Sequence, residues 1–420
     1  MIYITLVLSA ATSFRCASRV IEIMMTFLKL PLPSPSWYSG RLWLLRVGFY
    51  KLTRPKEQAE DWVWIVDHTI QIGAEKVFVI LGIRLNSLPL RGNCVTHLDV
   101  EPISLYPVKQ SNGEIVYQQL EEAIKKTGIP REIIGDQGSD LSKGIKKFCQ
   151  NHKEVCCIYD IKHKTANVLK HELENDQKWL EFAELATKTK LKVQQTSLAF
   201  LSPPNQRTKS RYMNVDILIR WGLKILAFVD KQQEEKTNKF DQELLQEKLG
   251  WITKFRDNLK EFEDILQIIE ATESFVRKNG LDINSHIELK EIMTCMGQTE
   301  RTKKIRELLI AFVAEESSKA KPNERLLGSS EVIESVFGKL KRLENNQAKS
   351  GFTGIILSTA AMVSETTKDV VEKALKVVPT KEVLIWLKDN IGQSLQSMRK
   401  EAFGSCIKKE QKRDQILGAA

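Results

Sequence analysis

The sequence predicts an α/β protein: a mixed five-stranded sheet with helices, interrupted by a long all-α insertion and preceded by a short helical segment. Three features of the chain point there. Apolar runs of strand length alternate with helical periodicities between residues 60 and 165. Residues 166–325 then turn rich in Lys, Glu and Gln, with helical apolar spacing and few strand signals. Two acids, Asp67 and Asp136, close apolar runs, and a third, Glu334, lies far downstream in an amphipathic helix. A carboxylate at the end of a buried strand is costly unless something cationic meets it.

Residues 1–55 read as helices. Ser18–Leu30 has helical apolar spacing and must stop at Pro31. A tight Pro-rich connection, Pro31 to Ser36, follows. Ser36 is placed to cap a second helix over Trp37–Leu52, which carries Arg41, Arg46 and Lys51. A helix, a short turn and a basic helix make the helix-turn-helix outline, with Arg41 and Arg46 as DNA contacts. The alternative is a helical hairpin that covers a sheet.

Trp62–Thr69 and Lys76–Arg84 are strands, and Val95–Val108 holds a third, interrupted at Pro102. From Val116 to Ile124 the spacing turns helical. Glu132–Asp136 is a fourth strand, Leu141–Asn151 a basic helix and Val155–Tyr159 a fifth strand. Three strands, a helix, a strand, a helix and a strand is the order of the ribonuclease-H-like fold. In that fold Asp67 ends the first strand and Asp136 the fourth.

Beyond residue 165, Ile217–Leu226, Leu244–Ile252 and Phe262–Ile269 read as amphipathic helices. So long a stretch is too regular to be a loop. Its Trp179, Trp221 and Trp251 are most simply core residues, with base stacking as the alternative. Leu326–Leu343 returns to the core as a helix, and the tail is helical, with a charged segment at Lys408–Arg413. The expected organisation is a helix-turn-helix-like remnant at 1–55 and the first part of the catalytic core at 60–165. An all-helical insertion at 166–325, a core helix with the last acid at 326–350 and a helical tail at 351–420 complete it.

Composition narrows the class. Hydrophobic content of 42% and charged content of 28% describe an ordinary globular protein, and a net charge of +10 favours a polyanionic partner. The seven Cys form no CxxC pair, which fits a reducing compartment. Cys149, His152, Cys156 and Cys157 are too irregularly spaced for a zinc site. The apolar stretch Ile2–Phe14 lacks the basic start of a secretory signal. No run reaches the roughly 20 apolar residues that span a bilayer. A cytoplasmic protein at the nucleoid, with no membrane partner, is expected.

Around Glu334, the residues Val332, Ile333, Val336, Phe337, Leu340 and Leu343 share one broad side of a helical wheel. Glu334, Gly338, Lys341 and Asn345 stack opposite, so Lys341 sets a cation two turns from the acid, where a phosphate could lie. Gly338 leaves room beside it. Glu331 is the rival for the same role, but it sits at the helix start, where the dipole alone accounts for an acid. Asp140 is the rival of Asp136 and is placed to cap the helix that begins at Leu141. Asp160 and His163, in Asp160-Ile161-Lys162-His163, are two potential ligands, too few for zinc.

With these residues the chain resembles the DDE-type transposases of the ribonuclease-H-like superfamily. It is most similar to the group that carries a Cys/Asp-x-x-His signature followed by an all-helical insertion. Asp160-Ile161-Lys162-His163 stands where that signature is expected, and Glu334-Ser335-Val336-Phe337-Gly338 resembles the Glu-x-x-Phe-Gly run with the last acid. The resemblance implies that Asp67, Asp136 and Glu334 hold two Mg²⁺ or Mn²⁺ ions, nick element ends and join them to target DNA. It implies that Asp160 and His163 lie near that site, and that the insertion positions the element ends. It also implies a homo-oligomer in a synaptic complex, with Lys341 and Arg342 on the DNA. The N-terminal region is short beside the family's terminal-repeat-binding domain, as in a chain begun at an internal Met. A nuclease of the same fold without strand transfer, and a DNA-binding remnant without turnover, are the alternative readings.

Overall fold

The computed structural model describes residues 1–68, 76–136, 138–205, 215–235, 241–347, 354–391, 398 and 401–404. The charged segment Lys408–Arg413 and Thr69, the expected last residue of the first strand, lie outside them. The chain divides into two units. The first comprises Met1–Leu90, Cys94–Ile158 and Ser330–Ala420, and the second Arg91–Asn93 and Tyr159–Ser329.

In the first unit, α1 (Ile2–Leu8), α2 (Phe14–Phe27) and α3 (Trp37–Thr53) precede β1 (Trp62–His68), β2 (Lys76–Arg84) and β3 (Glu101–Val108). Then come α4 (Gly113–Thr127), β4 (Glu132–Gly135), α5 (Ser139–Asn151) and β5 (Cys156–Tyr159). The sheet order is β3-β2-β1-β4-β5. β1, β2 and β3 pair antiparallel, and β4 runs parallel to β1. This is the mixed sheet of the ribonuclease-H-like order.

Pro102 does not interrupt β3. It lies on an edge strand, where a missing N–H costs no ladder bond to a further strand, and the β2–β3 register shifts beside it between Ile80 and Leu81. Strand alternation sends Trp62, Trp64 and Val66 to one face, where they meet Phe78, Ile80 and Ile103. Val116, Leu120 and Ala123 of α4 and Leu141, Ile145 and Phe148 of α5 close that core.

α3 follows its sequence signals at both ends, with the Ser36 side chain accepting from Ser39 N at 3.0 Å. Its setting differs from a DNA-reading helix. Apolar residues lie all around it, and Leu44, Leu45 and Val47 are fully buried. It packs against β3, α2 and three C-terminal helices, α14 (Ser358–Met362), α15 (Lys368–Val377) and α16 (Thr380–Asn390). The hairpin that covers a sheet is therefore the better description of residues 1–55. Lys51, fully buried, donates from Nζ to the carbonyl oxygens of Val363 (2.7 Å) and Ser364 (3.0 Å) and to Thr366 Oγ1 (2.8 Å). Burial pushes its pKa down to about 7, with the neighbouring Arg54 adding to the fall.

The second unit is helical: α6 (Ile161–Leu173), α7 (Gln177–Val193), α8 (Val215–Glu235), α9 (Gln242–Leu249), α10 (Arg256–Asn279), α11 (Ser285–Ile292) and α12 (Glu300–Ser317). α10 packs against α6, α8, α11 and α12. Trp179, Trp221 and Trp251 join Phe182, Phe255 and Phe262 in one aromatic cluster with ring centroids 5.6–6.4 Å apart. The Trp251 indole donates to Thr189 Oγ1 at 2.9 Å and that of Trp221 to Leu201 O at 3.0 Å. Trp179 is a core residue, as the simpler sequence reading has it, and Trp221 and Trp251 are half-buried at its side.

The chain returns to the first unit through α13 (Glu331–Asn345). This helix starts later than the expected Leu326, because Leu326 instead pairs with Leu281 in an antiparallel bridge. No described helix is long and apolar enough to cross a membrane.

Candidate active site

The parallel register of β1 and β4 builds the site. Val63 pairs with Glu132, Trp64 with Ile133, Ile65 with Ile134 and Val66 with Gly135. Paired residues of parallel strands share a face. One step further along, Asp67 stands beside Asp136, on the face of Ile65 and away from the α4–α5 core. Asp67 Oδ1 accepts from His68 N at 2.6 Å, and Asp136 Oδ1 accepts from Gly138 N at 3.0 Å. Gly138 has a specific reason to be glycine. A Cβ there would lie 3.1 Å from Asp136 Oδ1 and 3.5 Å from Oδ2, crowding the carboxylate.

Three residues that the sequence reading passed over line the same end of the sheet. His68 follows Asp67 and so points to the opposite face, where its ring packs on Phe78 at 5.4 Å. Its Nε2 lies 3.0 Å from Ser111 Oγ, and its Nδ1 lies 3.8 Å from Asp140 Oδ2. Lys76 Nζ approaches the same Asp140 oxygen at 3.8 Å. Burial holds the His68 imidazole below its ordinary pKa, against the opposing pull of Asp140. For Asp140, burial acts upward, but the Ser111 hydroxyl, His68 and two backbone N–H groups hold the carboxyl below its usual range. The polar pair Asp67-His68 at a strand end was the available signal, since strand alternation sends the two side chains to opposite faces.

Asp140 is not a cap. α5 begins at Ser139 with Gly138 in the capping position, and Asp140 sits in the first turn, accepting from Leu141 N. Its partners are His68 and Lys76, which separates it from the role set out for Asp136.

Glu334 is half-buried in the first turn of α13, as is Glu331. The buried stripe of α13 is Val332, Ile333, Val336, Phe337, Leu340 and Leu343, as the wheel predicts. The helix packs against β1 and α14, which brings the segment with Glu334 to the strand with Asp67. Gly338 has nothing within 4 Å of the place a Cβ would take. Among the described residues no group of three or more His, Cys, Asp or Glu side chains is gathered as a metal would require. The two aspartates are thus adjacent by register, and the third acid is not drawn into one cluster with them.

Lys341 and Arg342 are exposed on α13. Of the two arginines of α3, Arg46 is engaged inside the unit and Arg41 is half-buried. Arg46 Nε donates to Val378 O at 2.7 Å and its Nη2 to Leu375 O, so it satisfies carbonyls at the end of α15. Arg41 packs against Gly354, and burial lowers its pKa. The Arg46 guanidinium is thus committed to α15.

Asp160 and His163 lie in the second unit and contact each other. Asp160 is the N-cap of α6, and its Oδ1 accepts from both His163 N and His163 Nδ1 at 2.9 Å. The Asp-x-x-His spacing is the spacing of a cap and the third helical residue.

No protein-family model matches the chain, and no curated protein does. A solved structure described as the Drosophila P element transposase strand transfer complex is similar to it with a TM-score of 0.42 and 10% sequence identity. That likeness covers 88% of this chain and 92% of the other.

Proposed function

We propose that this chain is a metal-dependent DNA transposase that nicks element ends and joins them to target DNA. The observation that supports it most directly is the β1–β4 register, which sets Asp67 and Asp136 side by side at the mouth of a ribonuclease-H-like sheet. Their carboxylates are hard oxygen donors of the kind that Mg²⁺ and Mn²⁺ take. Glu334, on the helix against β1, is the remaining donor, with Glu331 one turn earlier as its rival. Two such ions, when bound, supply an activated attacking hydroxyl and a stabilised leaving oxygen. The chain's own part is to hold that donor set. The Gly138 N–H fixes one oxygen of Asp136, and the buried stripe of α13 fixes the helix that bears Glu334. Lys341 and Arg342 offer cations for the DNA backbone on the same helix. The active form acts as a homo-oligomer that synapses two ends.

A second reading, a DNA-binding relative without turnover, is favoured by the ungathered third acid. One experiment separates the two. The protein is incubated with Mn²⁺ and DNA that carries the sequences flanking its own coding region. Asp67→Ala, Asp136→Ala and Glu334→Ala are run beside it. Loss of strand joining by at least about 10³-fold in each variant is expected for a site that acts as a unit. Cleavage without joining makes the protein a nuclease, and metal-independent binding alone makes it a non-catalytic relative. If Glu331→Ala abolishes joining and Glu334→Ala does not, Glu331 is the third acid.

A further inference from the structure

A cavity of about 510 Å³ lies in the first unit, beside the second half of α13. Its size is that of a small-molecule site. Ile4, Val7 and Leu8 of α1 and Leu343 of α13 give it an apolar wall. Lys339 and Arg342, three residues apart on α13 and so neighbours on its surface, give it a cationic one. Lys339 Nζ lies 2.8 Å from His97 Nε2, and Glu365 is the acid among the lining residues. The excess is one positive charge, counting His97 as neutral.

Ser364 fixes the shape of one wall. It lines the wall, is 8% exposed, and its Oγ has no hydrogen-bond partner. Its backbone is held from both sides: the N–H donates to His97 O at 2.8 Å, and the carbonyl accepts from buried Lys51 at 3.0 Å. Its φ is +50°, a conformation that a side chain resists. A wall residue held from two sides keeps the cavity shaped before anything binds.

We propose that this cavity binds a small amphipathic anion: an aliphatic body against Ile4, Val7, Leu8 and Leu343, and one carboxylate or phosphate headgroup at Lys339 and Arg342. Burial lowers the pKa of Lys339, and burial and then Lys339 lower that of His97, a bias that a bound anion would reverse. The site shares Arg342 with the DNA contacts proposed above, but it does not rest on that reading.

The test is calorimetric titration of the full chain with octanoate, octyl phosphate and, as an uncharged control, octanol. Saturable binding of either anion is expected, at least about tenfold tighter than octanol, and the anion that binds tighter identifies the headgroup. The double variant Lys339→Gln/Arg342→Gln should lose about tenfold or more in affinity. Leu8→Trp should abolish binding by filling the space, and the control Lys388→Gln should leave it unchanged. Near-ultraviolet circular dichroism checks that each variant is folded. Should Leu8→Trp fail to fold, the charge pair decides. No saturable heat, equal affinity for octanol and the anions, or binding that survives removal of both charges overturns the proposal.

Discussion

Lys51 holds its ammonium away from water among carbonyl and hydroxyl oxygens that come from one short stretch, Val363 to Thr366. Burial lowers its folded pKa to about 7, while in the unfolded chain it titrates near the ordinary lysine value of 10.5. Between those values the unfolded state binds the extra proton, so this group's contribution to stability rises with pH across that window. Below about pH 7 both states are protonated and the penalty is complete. The stability of the protein relative to Lys51→Met, measured by urea unfolding, should therefore increase from pH 7 towards pH 10. A flat difference would show that the ammonium stays fully charged in the fold. The local residue roles divide by what they need. Ser36 could be assigned from sequence because a cap needs only its own helix. Lys51 and Arg46 could not, because their partners lie hundreds of positions away and nothing nearby in the chain points to them. Asp160 shows the opposite problem, as a cap and a family signature share one spacing.

At the scale of elements, the close approach of α3 to the 357–361 segment carries the N-terminal part of the fold. A Cβ at Gly48 would fall inside the Leu357 carbonyl group. Backbone cannot swing aside as a side-chain tip can, so Gly48→Ala should cost about 1–3 kcal/mol, seen as a lower urea midpoint. An unchanged midpoint would mean that the helix can slide. The strands were legible because their apolar runs are bounded by polar or Gly residues. β2 in particular spans Lys76–Arg84 in both readings. Pro102 misled because an edge position is a property of the sheet and not of the strand. The start of α13 misled for a similar reason: Leu326 has helical spacing to Ile333, but a distant partner, Leu281, takes it into a bridge. The adjacency of Asp67 and Asp136 was readable only through topology. His68, Lys76 and Ser111 were not, since they come from β1, β2 and the approach to α4 and meet through the fold alone.

For the molecule as a whole, the proposed function and a net charge of +10 together set an expectation for DNA binding. Binding through phosphates releases counterions, so affinity for duplex DNA should fall steeply with salt. Six to ten contacts imply a loss of about 10³–10⁵-fold between 50 and 200 mM KCl, readable by fluorescence anisotropy. A shallow dependence would remove the electrostatic basis for a polynucleotide partner. Lys341→Gln and Arg342→Gln should each lower the slope by about one, whereas Arg46→Gln, whose donors serve carbonyls of α15, should leave it in place.

The order of segments along the chain has a consequence for synthesis. The strands that carry the paired aspartates leave the ribosome early, but α13 follows only after the whole of Tyr159–Ser329. A nascent or prematurely terminated product would therefore own a sheet with two acids and lack the helix bearing the third. Under the proposed chemistry, cutting of DNA would be withheld until translation had passed Asn345.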